Sequence, residues 1–317
     1  MDLKSLGEFG LIDRISANFD VPEGVTGIGD DCAVIPQQSG KCTLVTTDML
    51  MEGTHFLMED VSPYRLGWKS AAVNISDIAA MGGSPVGSFL AFALPAGLDS
   101  SWTDEFISGY KAVSDLSSTP LLGGDTTGSP DRVSVCVTVL GECLAGKEVR
   151  RSGAKVGDLI CVTGPLGDSA GGLKVILDGL PRGEDESTLV DRHYRPLPKV
   201  TEGLALAAAG VHSMMDISDG IGSDLRHILD ASHVGAEVDC GCLPLSDCMC
   251  RCAAVHGWSV EDLAVNGGED YELLFTTSEE AARRIGIPYH VIGRIVAGSG
   301  IKWKNSTKDN HTGYRHF

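Results

Sequence analysis

The sequence predicts an α/β or α+β protein built from two domains. Strand-like and helix-like patterns alternate along the whole chain, and 317 residues with 43% hydrophobic content are enough for roughly two substantial cores. A loop rich in Gly, Lys and Arg at 146–153 follows the longest predicted strand and precedes a new strand–loop–helix unit. We place the domain boundary in this loop, with residues 1–148 in one domain and 149–317 in the other.

The predicted strands are alternating or continuous apolar runs, which are typical of half-buried and buried strands. In chain order they span residues 42–47, 86–94, 132–142, 158–163, 235–240, 271–276 and 290–296. Apolar residues at helical spacing predict helices between the strands. These helices span residues 64–81, 101–116, 169–180, 199–209, 221–232, 260–264 and 279–285. Residues 181–195 are predicted to form a polar connector.

The composition is acidic, with 25 Lys and Arg against 43 Asp and Glu and a formal charge of −18. A chain of this charge repels polyanions, so we expect no nucleic-acid partner. No apolar run approaches the roughly 20 residues that span a bilayer, and the first five residues lack the pattern of a signal peptide. We therefore expect a cytoplasmic protein with no membrane partner.

Small acidic motifs recur along the chain, several of them in what we expect to be glycine-rich turns. They lie at 29–31, 46–48, 75–77, 123–126, 216–220 and 267–270. Mg²⁺ takes carboxylate and water oxygens and leaves positions open for phosphates, so this set indicates a distributed magnesium site for a phosphate-rich substrate. Taken singly, each motif has an alternative explanation, because Asp in a turn often caps a helix or bonds its own backbone.

Asp77 differs from the other acidic residues because it falls inside the helix predicted at 64–81. Asn74 lies three residues earlier, which puts both polar groups on one face of an otherwise apolar segment. A buried carboxylate needs a cation or hydrogen-bond donors, and this favours a ligand role for Asp77. A second Ile-Ser-Asp motif at 217–219 lies in the other half of the chain. We therefore expect the site between the domains.

Two further segments have competing interpretations. The Thr-Gly-Pro-Leu-Gly-Asp-Ser segment at 163–169 could present backbone N–H groups to an anion, although a tight strand-to-helix connection is favoured. Five of the ten cysteines cluster at 240–252, in C-x-C spacings that do not match the C-x₂-C pairs of common zinc sites. We predict reduced, partly buried thiols there.

The acidic motifs belong to a longer ordered series. The series is Gly-Ile-Gly-Asp-Asp-Cys-Ala from Gly27, Thr-Thr-Asp from Thr46, Glu-Gly-Thr-His-Phe from Glu52, Asn-Ile-Ser-Asp-Ile-Ala-Ala-Met-Gly from Asn74, Gly-Gly-Asp-Thr from Gly123, Arg-Ser-Gly-Ala from Arg151, Asp-Ile-Ser-Asp-Gly from Asp216 and Gly-Gly-Glu-Asp-Tyr-Glu-Leu from Gly267. In number, order and spacing it closely resembles the thiamine-monophosphate kinase family, from residue 7 to residue 317.

The resemblance implies an aminoimidazole-ribonucleotide-synthetase-like architecture, with the N-terminal domain sheets of two subunits pairing in a homodimer. It also implies magnesium-dependent, direct in-line transfer of the ATP γ-phosphoryl group to the phosphate of thiamine monophosphate, giving thiamine diphosphate and ADP. The acceptor phosphate, with a second pKa of about 6, is largely ionised at neutral pH, so no catalytic general base is expected. Several Mg²⁺ ions would offset the repulsion between the two anions.

The resemblance also assigns site residues, position by position. The implied metal ligands are Asp31, Thr46, Thr47, Asp48, Asp77, Asp125, Asp216 and Asp219, with Asp30 a weaker candidate. The implied ATP contacts are Tyr110, Gly124, Arg151 and Ser218. The implied contacts to thiamine monophosphate are His55, Glu269 and Tyr314, the last within a closing motif that includes His316 and Phe317. A ring and a carboxylate suit a flat cationic heterocycle.

Two alternatives remain open at this point, the second of them from a different class of protein. The first is another ATP-dependent synthetase of the same superfamily, such as a selenophosphate synthetase. Those enzymes carry a reactive cysteine or selenocysteine near the N-terminus, and residues 1–27 contain no cysteine. The second is a non-catalytic nucleotide-binding assembly protein, which would bind ATP without turnover.

Overall fold

Two separate β-sheets organise the chain in the computed structural model, which describes residues 10, 12, 22–308 and 311–314. His316 and Phe317 of the closing motif lie outside the described residues. The first sheet contains β1 (Ala33–Pro36), β2 (Lys41–Met51), β3 (Ser84–Pro95), β4 (Leu121–Ser129) and β5 (Ser134–Leu144). Its spatial order is β1-β2-β5-β3-β4, and only the β3–β4 pair is parallel.

A buried helix, α1 (Pro63–Ala80), packs against β2, β3 and β5, and α2 (Ser100–Leu116) lies alongside it. Ser62 caps α1 by accepting a hydrogen bond from the backbone N–H of Arg65, and Pro63 suits the first helical position. Glycines let the two helices touch, because a Cβ at Gly109 would lie 1.8 Å from the carbonyl oxygen of Tyr64. Most of the 18 residues of α1 are buried, so its polar side chains must find partners inside the protein.

The second sheet is formed by the later part of the chain. Its strands are β6 (Leu159–Val162), β7 (Ser213–Asp216), β8 (Gly235–Asp239), β9 (Leu273–Thr277), β10 (His290–Val296) and β11 (Gly300–Lys304), in the order β11-β8-β10-β6-β9-β7. The helices between them are α3 (Asp168–Leu177), α4 (Glu184–Tyr194), α5 (Val200–Ala209), α6 (Ile221–Ser232), α7 (Asp247–His256), α8 (Val260–Asn266) and α9 (Glu279–Ala282). A hydrophobic core centred on Ile160, Ile217 and Leu225 holds this sheet against its helices.

Each predicted strand and helix has a counterpart, but two local predictions are wrong. The predicted connector at 181–195 contains helix α4, whose Leu189, Val190 and Tyr194 form a narrow buried stripe on a polar segment. The turn expected at 123–126 is part of strand β4. Strands β1, β7 and β11 and helix α7 were also not predicted. In the part of the chain that the structure describes, no helix is long and apolar enough to cross a membrane.

Candidate functional site

A cavity of about 680 Å³ opens between the two sheets. Its walls come from the end of β2, from α1, and from the loops that follow β7 and α8. The predicted site residues that line it are Asp31, Thr46, Thr47, Asp48, His55, Asp77, Arg151, Asp216, Ser218, Asp219, Glu269 and Tyr314, and Asp30 lines it as well. Residues that are distant in sequence therefore line one cavity.

Carboxylates crowd one part of this cavity. Asp31, Asp77 and Asp216 each place one carboxylate oxygen within 4.8 Å of the other two. Burial, followed by repulsion from neighbouring aspartates, raises the pKa of Asp77 well above its ordinary value and that of Asp216 to about 7. Asp48 lies in the wall of the cavity, where desolvation, followed by repulsion from Asp31, raises its pKa to about 6. The cluster therefore resists full ionisation unless positive charge is supplied.

Neighbouring polar side chains orient the acidic cluster. The hydroxyl of Thr46 donates to Asp77 over 2.5 Å, and that of Ser76 donates to Asp216 over 2.5 Å. The side-chain oxygen of Asn74 accepts a hydrogen bond from the backbone N–H of Asp48 at 2.9 Å. Asn74 and Asp77 do share one face of α1, and they connect that helix to strand β2. These hydrogen bonds fix the orientation of the Asp77 and Asp216 carboxylates.

Arg151 supplies the nearest positive charge. Its Nη2 and Nε donate to one oxygen of Asp31, at 2.6 and 3.2 Å, and its backbone N–H donates to Asp30 at 3.0 Å. The other Asp31 oxygen, Oδ2, is buried and has no hydrogen-bond partner among the described residues. An unpaired buried carboxylate oxygen beside two further carboxylates is the arrangement expected of a divalent-cation site.

The same cavity is lined by the three residues that the resemblance assigns to thiamine monophosphate, which are His55, Glu269 and Tyr314. His55 accepts the backbone N–H of Met51 at its Nδ1 atom over 3.0 Å, so we assign the ring proton to Nε2. Tyr314 is about half exposed, and its backbone N–H donates to the carbonyl of Asp219 at 3.0 Å. Glu269 adopts a left-handed backbone conformation with φ of 64°. A non-glycine residue held there is typical of a functional loop.

Sequence reasoning missed two residues that contact Glu269. Lys69 of α1 is fully buried, and its Nζ lies 2.9 Å from the Glu269 carboxylate. The Nδ1 atom of His193, on α4, lies 3.4 Å from the same carboxylate. The sequence does contain a signal for Lys69, because this charged residue lies in the same apolar helix as Asp77. His193 could not be found, since helix α4 itself was not predicted.

Three of the predicted site residues lie outside the cavity. Tyr110 is buried on α2, and its hydroxyl donates to the Ser88 side chain at 2.8 Å. Gly124 and Asp125 lie on β4, an edge strand whose residues are almost all exposed. Gly124 stands in the same cross-strand row as Asp48, with β3 and β5 between them, so about 14 Å separates the two strands. Asp125 therefore does not join the acidic cluster of its own chain.

The glycine-rich segment at 163–169 is a tight connection, as favoured from the sequence. The backbone N–H groups of Gly167 and Ser169 donate to the Asp270 carboxylate, at 2.6 and 3.1 Å. An internal carboxylate thus already fills the place that an anion would take at the start of α3.

All ten cysteines are unpaired. Cys240 lies near Glu261 and His311, which together could in principle hold a metal ion. However, the Asn266 amide donates to Nδ1 of His311 at 3.0 Å, so the ring proton lies on Nε2 and faces Ser306 and Glu261. With Nε2 protonated, this group is a hydrogen-bond cluster rather than a metal centre.

Both halves of the chain match one protein class. Residues 29–143 match the family described as AIR synthase related protein, N-terminal domain, and residues 155–304 match AIR synthase related protein, C-terminal domain. With its two sheets and the acidic cavity between them, the chain is a two-domain protein of the AIR synthase related class. The predicted fold class is confirmed, while the pairing of sheets between subunits and the boundary after residue 148 stay predictions.

Similar proteins of known name identify one family within this class. Thiamine-monophosphate kinase of Salmonella typhimurium is 40% identical, with 98% of each chain covered, and that of Aquifex aeolicus is 35% identical, with 100% of each covered. The chain belongs to the thiamine-monophosphate kinase family, as the motif series predicted.

Solved structures agree with this placement. A structure described as AaThiL complexed with AMPPCP and TMP has a TM-score of 0.92 and 34% identity, and covers 100% of this chain and 99% of that chain. A structure of the HypE-HypF complex, at 17% identity, covers 94% of this chain and 97% of that one with a TM-score of 0.71, and shows a shared fold alone.

Proposed function

We propose that this protein is a thiamine-monophosphate kinase that transfers the γ-phosphoryl group of ATP to the phosphate of thiamine monophosphate. The observation that carries the proposal is the single cavity, in which a carboxylate cluster lies beside Glu269, His55 and Tyr314. The cluster suits phosphates neutralised by cations, and the other three residues suit a flat cationic ring. Full-length relatives with this activity in their names support the same conclusion.

The acidic cluster fits Mg²⁺ on chemical grounds. Its donors are carboxylate oxygens, the ligands that Mg²⁺ prefers, and Asp31 offers a buried oxygen with no hydrogen-bond partner among the described residues. We propose that Asp31, Asp48, Asp77, Asp216 and Asp219, with the hydroxyls of Thr46 and Thr47, hold several Mg²⁺ ions. When bound, Mg²⁺ supplies charge neutralisation for the phosphates of both substrates.

The side chains of the protein bind and orient the two substrates. We propose that Arg151 and Ser218 contact the ATP phosphates, since a guanidinium can bind phosphate oxygens in a bidentate way. On the acceptor side, Tyr314 offers an aromatic surface, Glu269 a negative charge, and His55 its Nε2–H group. An oxygen of thiamine monophosphate then bonds to the γ-phosphorus while the bond from that phosphorus to the β–γ bridging oxygen breaks, and ADP leaves. No side chain is needed as general base, because the attacking phosphate is already ionised.

We further propose that the enzyme is a homodimer in which each cavity receives Asp125 and Gly124 from the partner. Within one chain Asp125 lies on an edge strand far from the cluster, and among the described residues β4 pairs with β3 alone. An exposed edge strand is a ready partner for a second copy. Tyr110 lies beneath β3, near this edge, where its aromatic ring would face ATP only after a local rearrangement of its contact with Ser88.

We propose a cytoplasmic location, with neither nucleic acid nor membrane as a partner. The unpaired thiols suit a reducing compartment, and the acidic charge of −18 disfavours binding to polyanions.

Product analysis tests the proposed function directly. Purified protein is incubated with ATP and either thiamine monophosphate or free thiamine, with Mg²⁺ or with EDTA. We expect thiamine diphosphate from the monophosphate alone, and only with Mg²⁺. ATP binding without product would instead support an assembly protein or another synthetase of the superfamily.

A further inference from the structure

We propose that Lys69 is a positioning residue for substrate binding, which together with His193 holds the Glu269 carboxylate in the orientation that meets the cationic ring of thiamine monophosphate. This inference rests on the proposed function and deepens it, because it explains how one carboxylate beside a crowded acidic cluster is kept available for the vitamin.

The geometry places Lys69 behind Glu269, away from the cavity. Lys69 has no exposed surface and is absent from the cavity walls, whereas about a quarter of the Glu269 side chain remains exposed to the cavity. The Lys69 ammonium lies 2.9 Å from that carboxylate, 3.5 Å from Nε2 of His193, and 5.8 Å from the ring centre of Tyr194. A buried ammonium requires a charged partner, and here that partner is a residue that faces the proposed substrate.

His193 completes the arrangement as a neutral ring. Burial, followed by repulsion from Lys69, lowers the pKa of His193 to about 3. An ammonium can only donate, so Nε2 accepts from Lys69 and the ring proton lies on Nδ1. That nitrogen faces the hydroxyl of Ser169 at 2.9 Å and the Glu269 carboxylate at 3.4 Å. The carboxylate is thus contacted from two helices, α1 and α4.

The backbone adds a third constraint on Glu269. The residue is held at φ of 64°, and its N–H donates to the carbonyl of Ser218 at 2.8 Å. Because the backbone and one side of the carboxylate are both fixed, the remaining surface of the carboxylate points into the cavity. Such preorganisation lowers the ordering cost of binding a cationic ring.

Charge balance around Glu269 keeps it ionised. The charged and titratable groups that face it are Lys69 on α1, His193 and Tyr194 on α4, His55 after β2, and Tyr271 before β9. Burial raises the pKa of Glu269, but attraction to the Lys69 ammonium outweighs burial and holds the pKa below its ordinary value. Without Lys69, the burial effect would dominate and the carboxyl would take up a proton at higher pH.

The test compares Lys69→Met with Lys199→Met as a matched control. Lys199 forms a similar Lys–Glu pair with Glu272 at 2.8 Å, and neither residue lines the cavity. We expect Lys69→Met to raise the KM for thiamine monophosphate about tenfold or more while the KM for ATP stays within about twofold. Lys199→Met should change neither KM. A purely structural role for Lys69 would instead alter both KM values together.

A pH profile and a double variant strengthen the test. We divide the kcat/KM of Lys69→Met for thiamine monophosphate by that of the wild type. This quotient should fall as pH is lowered from about 8 to about 6, because Glu269 becomes protonated in the variant. The Lys69→Met, Glu269→Gln double variant removes both charges, so it also covers the case in which the single variant does not fold. Its KM for thiamine monophosphate should equal that of Glu269→Gln alone.

The outcomes separate the two proposals. If the wild type forms no thiamine diphosphate, the proposed function fails and this inference fails with it. If the wild type is active but Lys69→Met has a normal KM for thiamine monophosphate, or raises both KM values equally, only the positioning role of Lys69 is overturned.

Discussion

At the scale of single residues, the acidic cluster brings carboxylates close together inside the protein. Six aspartates line one cavity together with the guanidinium of Arg151, and burial and mutual repulsion raise the pKa values of Asp77 and Asp216. Such repulsion costs folding free energy, so residues that keep it are candidates for function.

Asp48→Asn tests this arrangement. The amide retains the shape of the side chain but lacks the charge, so we expect transfer to fall by at least about 100-fold while the free energy of unfolding is unchanged or raised. The measurements are initial rates of thiamine diphosphate formation and urea denaturation. Asp115→Asn, at an exposed surface pair with Lys111, is the control and should have wild-type activity. Normal activity of Asp48→Asn would remove this residue from the proposed metal ligands.

Tyr314 provides a second test, on the acceptor side. Tyr314→Ala removes the aromatic surface, and we expect the KM for thiamine monophosphate to rise about tenfold with a smaller effect on the KM for ATP. Tyr314→Phe retains the ring and should remain within about threefold of wild type. Equal effects of Tyr314→Ala on both substrates would contradict the assignment of this ring to the vitamin.

At the scale of helices and strands, the strong periodicity of hydrophobic residues made most elements predictable. Helix Ile221–Ser232 and strand His290–Val296 have the predicted bounds. Strand β7 has only four residues, too few to show a period, and β4 is rich in glycine, which is uncommon in strands. The missed elements are those in which burial and pairing with distant residues, rather than the local pattern, decide the structure.

The same limit applies to the candidate site. Most predicted site residues line one cavity, because their identity came from a specific motif series rather than from local propensity. Lys69 and His193 were missed because their contacts with Glu269 join segments far apart in sequence. The exclusion of Asp125 from the cavity depends on strand order, which the sequence pattern does not reveal.

The close contact between helices α1 and α2 gives a prediction about the stability of the fold. Gly109→Ala would place a methyl group 1.8 Å from the Tyr64 carbonyl oxygen and force the helices apart. We expect a loss of about 1–3 kcal/mol in the free energy of unfolding, measured by urea denaturation. At Gly97 an added Cβ meets no atom within 4 Å, so Gly97→Ala is the control. Equal stabilities of the two variants would show that α2 shifts freely.

At the scale of the whole molecule, the stability of the metal-free protein should depend on pH. Burial and neighbouring aspartates raise the pKa of Asp48 to about 6 and that of Asp216 to about 7, above their values in the unfolded chain. Over this interval the folded state holds more protons, so the free energy of unfolding falls as pH rises from about 4 to about 7.

Adding Mg²⁺ should reverse this loss. Ionised carboxylates bind the metal and protonated ones do not, so the increase in Tm with Mg²⁺ over EDTA should be larger at about pH 8 than at about pH 5. Thermal denaturation at both pH values measures this difference. An equal increase at both values would argue against metal binding by the cluster.

Mixing two inactive variants tests the proposal that each active site contains residues from both subunits. Asp48→Asn and Asp125→Asn chains, denatured and refolded together, should regain about a quarter of wild-type activity, because half of the randomly formed dimers have one intact site. Each variant refolded alone serves as the control. If Asp125 acts within its own chain, the mixture will remain inactive.

The pairing of Arg151 with Asp31 has a consequence for the order of events. Its Nε and Nη2 atoms both donate to the Asp31 carboxylate, so the arginine acts as the counter-ion of this aspartate. With Asp31 as a metal ligand and Arg151 as an ATP contact, as we propose, a cation at Asp31 would weaken its hold on the guanidinium and would free those donors for a nucleotide phosphate. We therefore expect nucleotide affinity to depend on the cation concentration, because Arg151 would exchange the Asp31 carboxylate for a phosphate and keep an anionic partner throughout.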